Sequence, residues 1–277
     1  VDYFVIVEAN KTQTGKDKEY YFEKSKSRFK RFEEKIIHLK INMPPTKNFW
    51  VMENYQRDCI LKGLKNCKDE DIILISDLDE IPNKNKIKNI LELLHKPAGT
   101  FEKFKNKINE INFYILIKLN GRSLSLKNKI IRKLMKINDR LFPNSNIIIC
   151  NQKQYYYYFN YFKNTVWTGT RILKYDYLIN KMKCPQNTRY RFYGQNLNCG
   201  WHFSYLGNWK KLKIKSESFA DSERIRKKLS DSDYKSIINE GKDIITGNSY
   251  NLKKVNIDSS YPDTILKNQK KYKKYIL

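Results

Sequence analysis

The segment that most constrains this chain is Asp71-Ile-Ile-Leu-Ile-Ser76, followed at once by Asp77-Leu78-Asp79-Glu80 and by Pro82. An unbroken, largely β-branched apolar run without alternation predicts a strand buried on both faces, the kind that helices cover on either side. Tyr3 to Glu8 has the same character and runs into a polar loop, Asn10 to Gly15. Lys35 to Leu39 predicts a further strand before the Pro44-Pro45 breaker, and Trp50 to Leu64 and Ile87 to Leu94 have helical spacing. This alternation predicts an α/β fold with a mostly parallel sheet flanked by helices. Ligands of such sheets gather at the carboxyl ends of the strands, where Glu8, Asp77 and Asp79 are expected.

Beyond Thr100 the character changes. Residues 100–146 are strongly basic and helical in pattern, which predicts a surface insertion. Ile147 to Cys150, the aromatic run Tyr155 to Phe159, and Val166 to Leu173 read as strands. Gly200-Trp201-His202-Phe203-Ser204-Tyr205 is a compact aromatic segment, and 209–277 is expected to be largely helical. With no repeats, residues 1–277 are read as one domain. No apolar run approaches the roughly 20 residues needed to span a membrane, and no secretory leader is visible.

Lys and Arg number 55 against 29 acids, a formal charge of +26. That favours anionic partners, including an acidic membrane surface reached through the basic face. It comes with abundant Lys, Asn, Ile and Tyr, as in AT-rich coding, and no nucleic-acid motif accompanies it, so no specific nucleic acid is expected. The five cysteines (Cys59, Cys67, Cys150, Cys184, Cys199) form no C-x-x-C pair. Their odd number and wide spread argue against a zinc site and against disulfides, and suggest a reducing compartment: the cytoplasm, or that of a host cell.

Two carboxylates one residue apart on a turn can face one ligand. Asp77 and Asp79 would supply hard oxygens to Mn²⁺ (or Mg²⁺), and a substrate diphosphate would complete the shell. A solvated acidic turn is the alternative. His202 is the candidate for a further metal ligand; His38 lies in a strand and His95 at a helix end. Arg57 is suited to phosphate oxygens and Asp58 to ribose or uracil donors, unless the two are a surface ion pair. Asp221 and Glu223 are general-base candidates, with helix capping by Asp221 or Ser222 as the plainer role. Trp167 and Trp201 are candidates for stacking on an acceptor sugar, although aromatic runs at strand spacing are more often core.

Taken together, Phe4 to Gly15, Trp50-x-x-Glu53-x-x-Gln56-Arg57-Asp58, Asp71 to Pro82, Trp167-Thr168-Gly169, Gly200 to Tyr205 and Lys215-x-x-Ser218-Phe219 with Glu223 resemble, in order, glycosyltransferase family 17, the family of the bisecting N-acetylglucosaminyltransferase. The resemblance implies a GT-A-like nucleotide-sugar domain and transfer of N-acetylglucosamine from UDP-GlcNAc, with inversion, to a hydroxyl of a glycan or glycoprotein. It implies metal and diphosphate roles for Asp77 and Asp79, donor-site roles for Glu8 and Arg57, and positions facing the cleft for His202 and Glu223. Three departures accompany it. The family has a further strand and helix ahead of the segment that opens this chain, so a truncated sequence or an incomplete fold is expected. The basic stretch 100–146 is longer than the family pattern, and Asp221 stands where the family tends to have His.

The expectation is therefore a metal-dependent hexosyltransferase using a UDP-sugar. Its rivals are a non-catalytic glycan- or nucleotide-binding relative and a binder of anionic polymers or surfaces acting through 100–146 and the Lys-rich tail.

Overall fold

The computed structural model describes residues 1–120, 126–192, 194–225 and 228–277. Strand β1 (Phe4–Ala9) leads through a loop and the short helix α1 (Tyr21–Ser25) to β2 (Ile36–Ile41). These two strands pair in parallel and form a sheet of their own. Helix α2 (Phe49–Asp58) follows the proline breaker and is capped by Asn48, whose side chain accepts from the amides of Trp50 and Val51. Such a cap satisfies first-turn donors that have no partner within the helix.

Next come β3 (Ile72–Ile75), β4 (Glu80–Pro82), α3 (Ile87–His95), α4 (Thr100–Leu119) and α5 (Leu126–Leu141). The long strands β5 (Asn144–Tyr156) and β6 (Tyr161–Lys174) are followed by the short helices α6 (Tyr175–Tyr177) and α7 (Pro185–Thr188) and by β7 (Gly194–Ser204). The chain continues with α8 (Trp209–Ser216), α9 (Asp231–Asn239), β8 (Lys253–Lys254) and α10 (Asp263–Lys267). Loops separate these last elements.

The second sheet has the order β3-β6-β5-β7-β4, with β8 paired to β6. The expectation of a mostly parallel sheet is corrected here. Only β5 and β7 run parallel within it; β3 with β6, β5 with β6, and β4 with β7 are antiparallel. The tyrosine run is the physical cause. It predicts a strand of its own, but Tyr155 and Tyr156 end β5, and the chain reverses at Tyr157 (φ 64°) to enter β6 at Tyr161. A connection that short joins antiparallel strands, whereas a parallel crossover needs a dozen residues or more.

The middle of β5 is buried on both faces, as its composition predicts. Ile147 packs with Phe113 of α4 and Leu173, and Ile148 and Cys150 pack with Ile90 and Leu94 of α3. Helices therefore cover both sides of this sheet. The reading against disulfides is also corrected: Cys150 of β5 and Cys199 of β7 are joined, with Cα atoms 5.3 Å apart across 49 residues of sequence. Parallel neighbours place them side by side, a proximity that spacing along the chain does not reveal.

Candidate functional site: an acid pair in a basic cradle

Asp77 and Asp79 leave the carboxyl end of β3 on a turn whose tip, Leu78, is fully exposed. Glu80 opens β4, which pairs with β7 so that Glu80 faces His202 and Ile81 faces Trp201. Side chains alternate across a strand. His202 therefore lies on the face that carries the acids, whereas Trp201 packs on the opposite face with Tyr155, Phe203, Tyr261 and Ile265.

Basic groups gather round the two acids. Asp77 Oδ1 accepts from Arg57 Nη2 at 3.0 Å, and Arg189 Nη2 lies 3.2 Å from Asp77 Oδ2. Asp79 Oδ2 accepts from Lys215 Nζ at 2.9 Å, and Asp79 Oδ1 lies 3.5 Å from His202 Nε2. Burial alone would raise the carboxyl pKa of Asp77, but Arg189 and Arg57 outweigh it and hold it below the ordinary value. Burial works against Asp79 too, and its hydrogen bond with His202 and the charge of Lys215 overcome it, so its pKa is also depressed. For Arg57 burial disfavours the cation, and Asp77 and Glu53 reverse the effect and raise its pKa. Each charged form is kept by its opposite.

Glu80 organises the rest. Its buried carboxylate accepts from Trp167 Nε1 at 2.8 Å, from Arg189 Nη1 at 3.2 Å and from the Asp77 backbone amide at 3.1 Å. Trp167 in turn stacks on the His202 ring, centroids 4.6 Å apart. Gly169 lets this cluster close: a Cβ there would overlap Gln152 Oε1 and sit 2.9 Å from the Glu80 carboxyl carbon.

The other expected site residues have different settings. Asp58 accepts from the Gln186 amide at 2.9 Å and so holds the start of α7, from which Gln186 Oε1 reaches back to Arg57 Nη1 at 2.6 Å. Glu8 accepts from the Phe22 amide at 2.8 Å and meets His38 Nε2 at 3.1 Å, at the end of β1. Asp221 pairs with Arg224 at 3.0 Å, and the exposed Glu223 accepts from Trp50 Nε1 at 2.8 Å. The turn that carries both is tied to the loop after β1, where Gln13 Oε1 accepts from the Ala220 amide. Trp201 lines a separate cavity of about 1070 Å³ with Asn83, Asn151, Lys153 and Ser260. Glu80, Arg189, Gln186 and Lys215 belong to the cluster but are absent from the site expected from sequence. Glu80 had a signal in its place beside the acid pair, and Lys215 in the Lys215-x-x-Ser218-Phe219 segment; Arg189 and Gln186 had none.

The donors of Asp79 and His202 suit a divalent cation. Two ligands each about 2.1 Å from one ion, at tetrahedral or octahedral angles, lie about 3.0–3.5 Å apart, which matches the spacing between Asp79 Oδ1 and His202 Nε2. His202 Nδ1 is buried with no hydrogen-bond partner among the described residues, so only Nε2 is engaged. Among those residues no group of three or more His, Cys, Asp and Glu side chains is poised for a metal, so further ligands would come from substrate.

Residues 1–120 match the family model of glycosyltransferase family 17. The matched segment includes Glu8, Arg57, Asp77, Asp79 and Glu80. No curated protein and no solved structure matches the chain. No helix among the described residues is long and apolar enough to cross a membrane.

Proposed function

We propose that this chain, whose residues 1–120 match the family model of glycosyltransferase family 17, is a metal-dependent inverting transferase with a GT-A-like site that moves N-acetylglucosamine from UDP-GlcNAc to a glycan hydroxyl. The observation that supports this most directly is the cradle itself, in which Arg57, Arg189 and Lys215 converge on two acids at the end of a strand. A cradle of that sign and position suits a diphosphate leaving group. Arg57 and Arg189 are themselves oriented, by Glu53 and Gln186 and by Glu80, so little reorganisation is needed as negative charge develops.

Asp79 and His202, with Asp77 beside them, would hold Mn²⁺ or Mg²⁺, which supplies Lewis-acid neutralisation of the diphosphate. The acceptor hydroxyl attacks the anomeric carbon while the bond from that carbon to the diphosphate oxygen breaks. The electron pair leaves with the diphosphate. The hydroxyl proton passes to Glu223 or Asp221, a contribution of about 10²–10⁴-fold for such a base. Trp167, held by Glu80 and stacked on His202, offers a surface against which the acceptor sugar can lie. Glu8 and Asp58 support the donor side indirectly, through the loop after β1 and through α7.

The test is release of uridine diphosphate from UDP-GlcNAc, with Mn²⁺ or with chelator, for the wild type and for Asp79→Ala. Manganese-dependent release that the substitution abolishes is the expected result. A folded chain that neither binds nor turns over the donor under any of these conditions would overturn the reading.

A further inference from the structure

Helices α4 and α5 are attached to the body partly through polar groups. Arg191 and Asp139, both without solvent exposure, pair at 3.2 Å, and Asn109 donates to Asp139 at 2.9 Å. Asn106 and Ser145 bond to one another beside them. The inward positions of α5 are Asn128, Ile131, Met135, Asn138 and Asp139.

Large apolar side chains point the other way. On α5 the exposed set is Leu126, Ile130, Leu134, Ile137 and Leu141, with Leu126 at 74% and Leu141 at 63% exposure. At about 100° per residue these five fall within an arc of about 80°. On α4, Phe101 (69% exposed), Phe104, Ile111, Tyr114, Ile115 and Leu119 are exposed and occupy a wider arc of about 140°. Two helices each presenting an apolar stripe of this size to water is unusual for the surface of a globular protein.

Lysines border the stripes. Lys127, Lys129 and Lys133 flank that of α5, and Lys105, Lys107 and Lys118 flank that of α4, where Lys105 and Lys118 lie over the rings of Phe101 and Tyr114. Acids are few: Glu102 in the first turn of α4, Glu110, which pairs with Lys181, and Asp139, which is committed to Arg191. Apolar stripes edged by cations match an anionic lipid surface, with the aliphatic and aromatic groups entering the acyl boundary and the ammonium groups meeting the headgroups. A second copy of a chain charged +26 would set one rim of lysines against another, which disfavours self-association as the cover for these stripes.

We propose that helices α4 and α5 dock the chain onto anionic membrane surfaces, lying in the interface without crossing it. The proposal is independent of the transfer reaction, since neither stripe includes a residue of the cradle.

Flotation of the purified chain with vesicles tests it, comparing phosphatidylcholine containing about 30% phosphatidylserine with phosphatidylcholine alone, near 0.15 M salt. Recruitment to the anionic vesicles only is expected. Ile130→Ser with Leu134→Ser, and separately Phe104→Ser with Ile111→Ser, should each weaken partitioning about tenfold or more while leaving circular dichroism and net charge unchanged. Absence of recruitment of the wild type overturns the proposal. So does undiminished flotation of both folded variants, which would assign the effect to net charge alone. A wild-type dimer in sedimentation that both variants dissolve, without vesicle binding, would assign the stripes to a second copy.

Discussion

Arg57 Nη2 stands 3.0 Å from Asp77 Oδ1, so a residue near the end of α2 is fixed to the first acid after β3. The same guanidinium also holds Glu53 and Gln186. One side chain thus connects the two-stranded sheet's covering helix, the turn after β3 and the start of α7.

Replacing Arg57 with Ala should cost about 1–3 kcal/mol of stability, the penalty for leaving buried acceptors unpaired, with Asp77 partly relieved by its access to solvent. Transfer should fall by about 10²-fold or more. Arg57→Lys should recover less than half of the lost activity in logarithmic terms, because one ammonium cannot reproduce the planar fork. Denaturant unfolding and donor turnover measure the two effects. Wild-type turnover in Arg57→Ala would remove Arg57 from the site.

Acid should destabilise the fold through the same cluster. The folded-state pKa values of Asp77 and Asp79 lie below their unfolded values. Their contribution to stability is therefore complete above the unfolded carboxyl range, near pH 4, and is lost as pH falls through the folded values. Urea midpoints between pH 7 and pH 2 should show a steeper acid decline for wild type than for Asp79→Asn. Parallel declines would mean that other carboxylates carry the acid response.

Gly169→Ala would bring a methyl group against Gln152 and Glu80, both buried. A loss of about 1–3 kcal/mol is expected for overpacking at such a point. Displacement of Glu80 should also weaken donor binding, which isothermal titration can measure. Unchanged donor affinity in the variant would show that Glu80 does not set the position of Arg189.

Asp139→Ala should be the most damaging single change outside the site. Removing one partner of a buried ion pair typically costs about 3–5 kcal/mol, and among the described residues Arg191 would be left fully buried with the neutral partners Asn109 and Tyr177. Thermal melting of the purified variant reads this directly. A shift of only a degree or two would mean that Arg191 finds compensation elsewhere.

Local periodicity was enough to read β1, β2 and β3, helices α2 and α3, the helical character of α4 and α5, and the position of Asp77 and Asp79 at a strand end. Each depends on residues adjacent in sequence: a double-sided apolar run makes a buried strand, and acids just beyond it must emerge at its end. The partners of those acids were another matter. Arg189 follows Asp77 by more than a hundred residues, Lys215 reaches Asp79 from α8, and Cys150 meets Cys199 only because β5 and β7 are neighbours. Nothing in the immediate sequence of Arg189 or Gln186 distinguishes them from surface residues of a lysine-rich chain. The direction of pairing in the larger sheet was similarly hidden, since a buried strand has the same composition whether its neighbour runs with it or against it. By itself the sequence determined that the segments of β1, β2 and β3 would be strands and where a pair of carboxylates would emerge. Only the tertiary structure decided which cations neutralise them, because ion pairing and sheet order depend on distances through space that no period along the chain encodes.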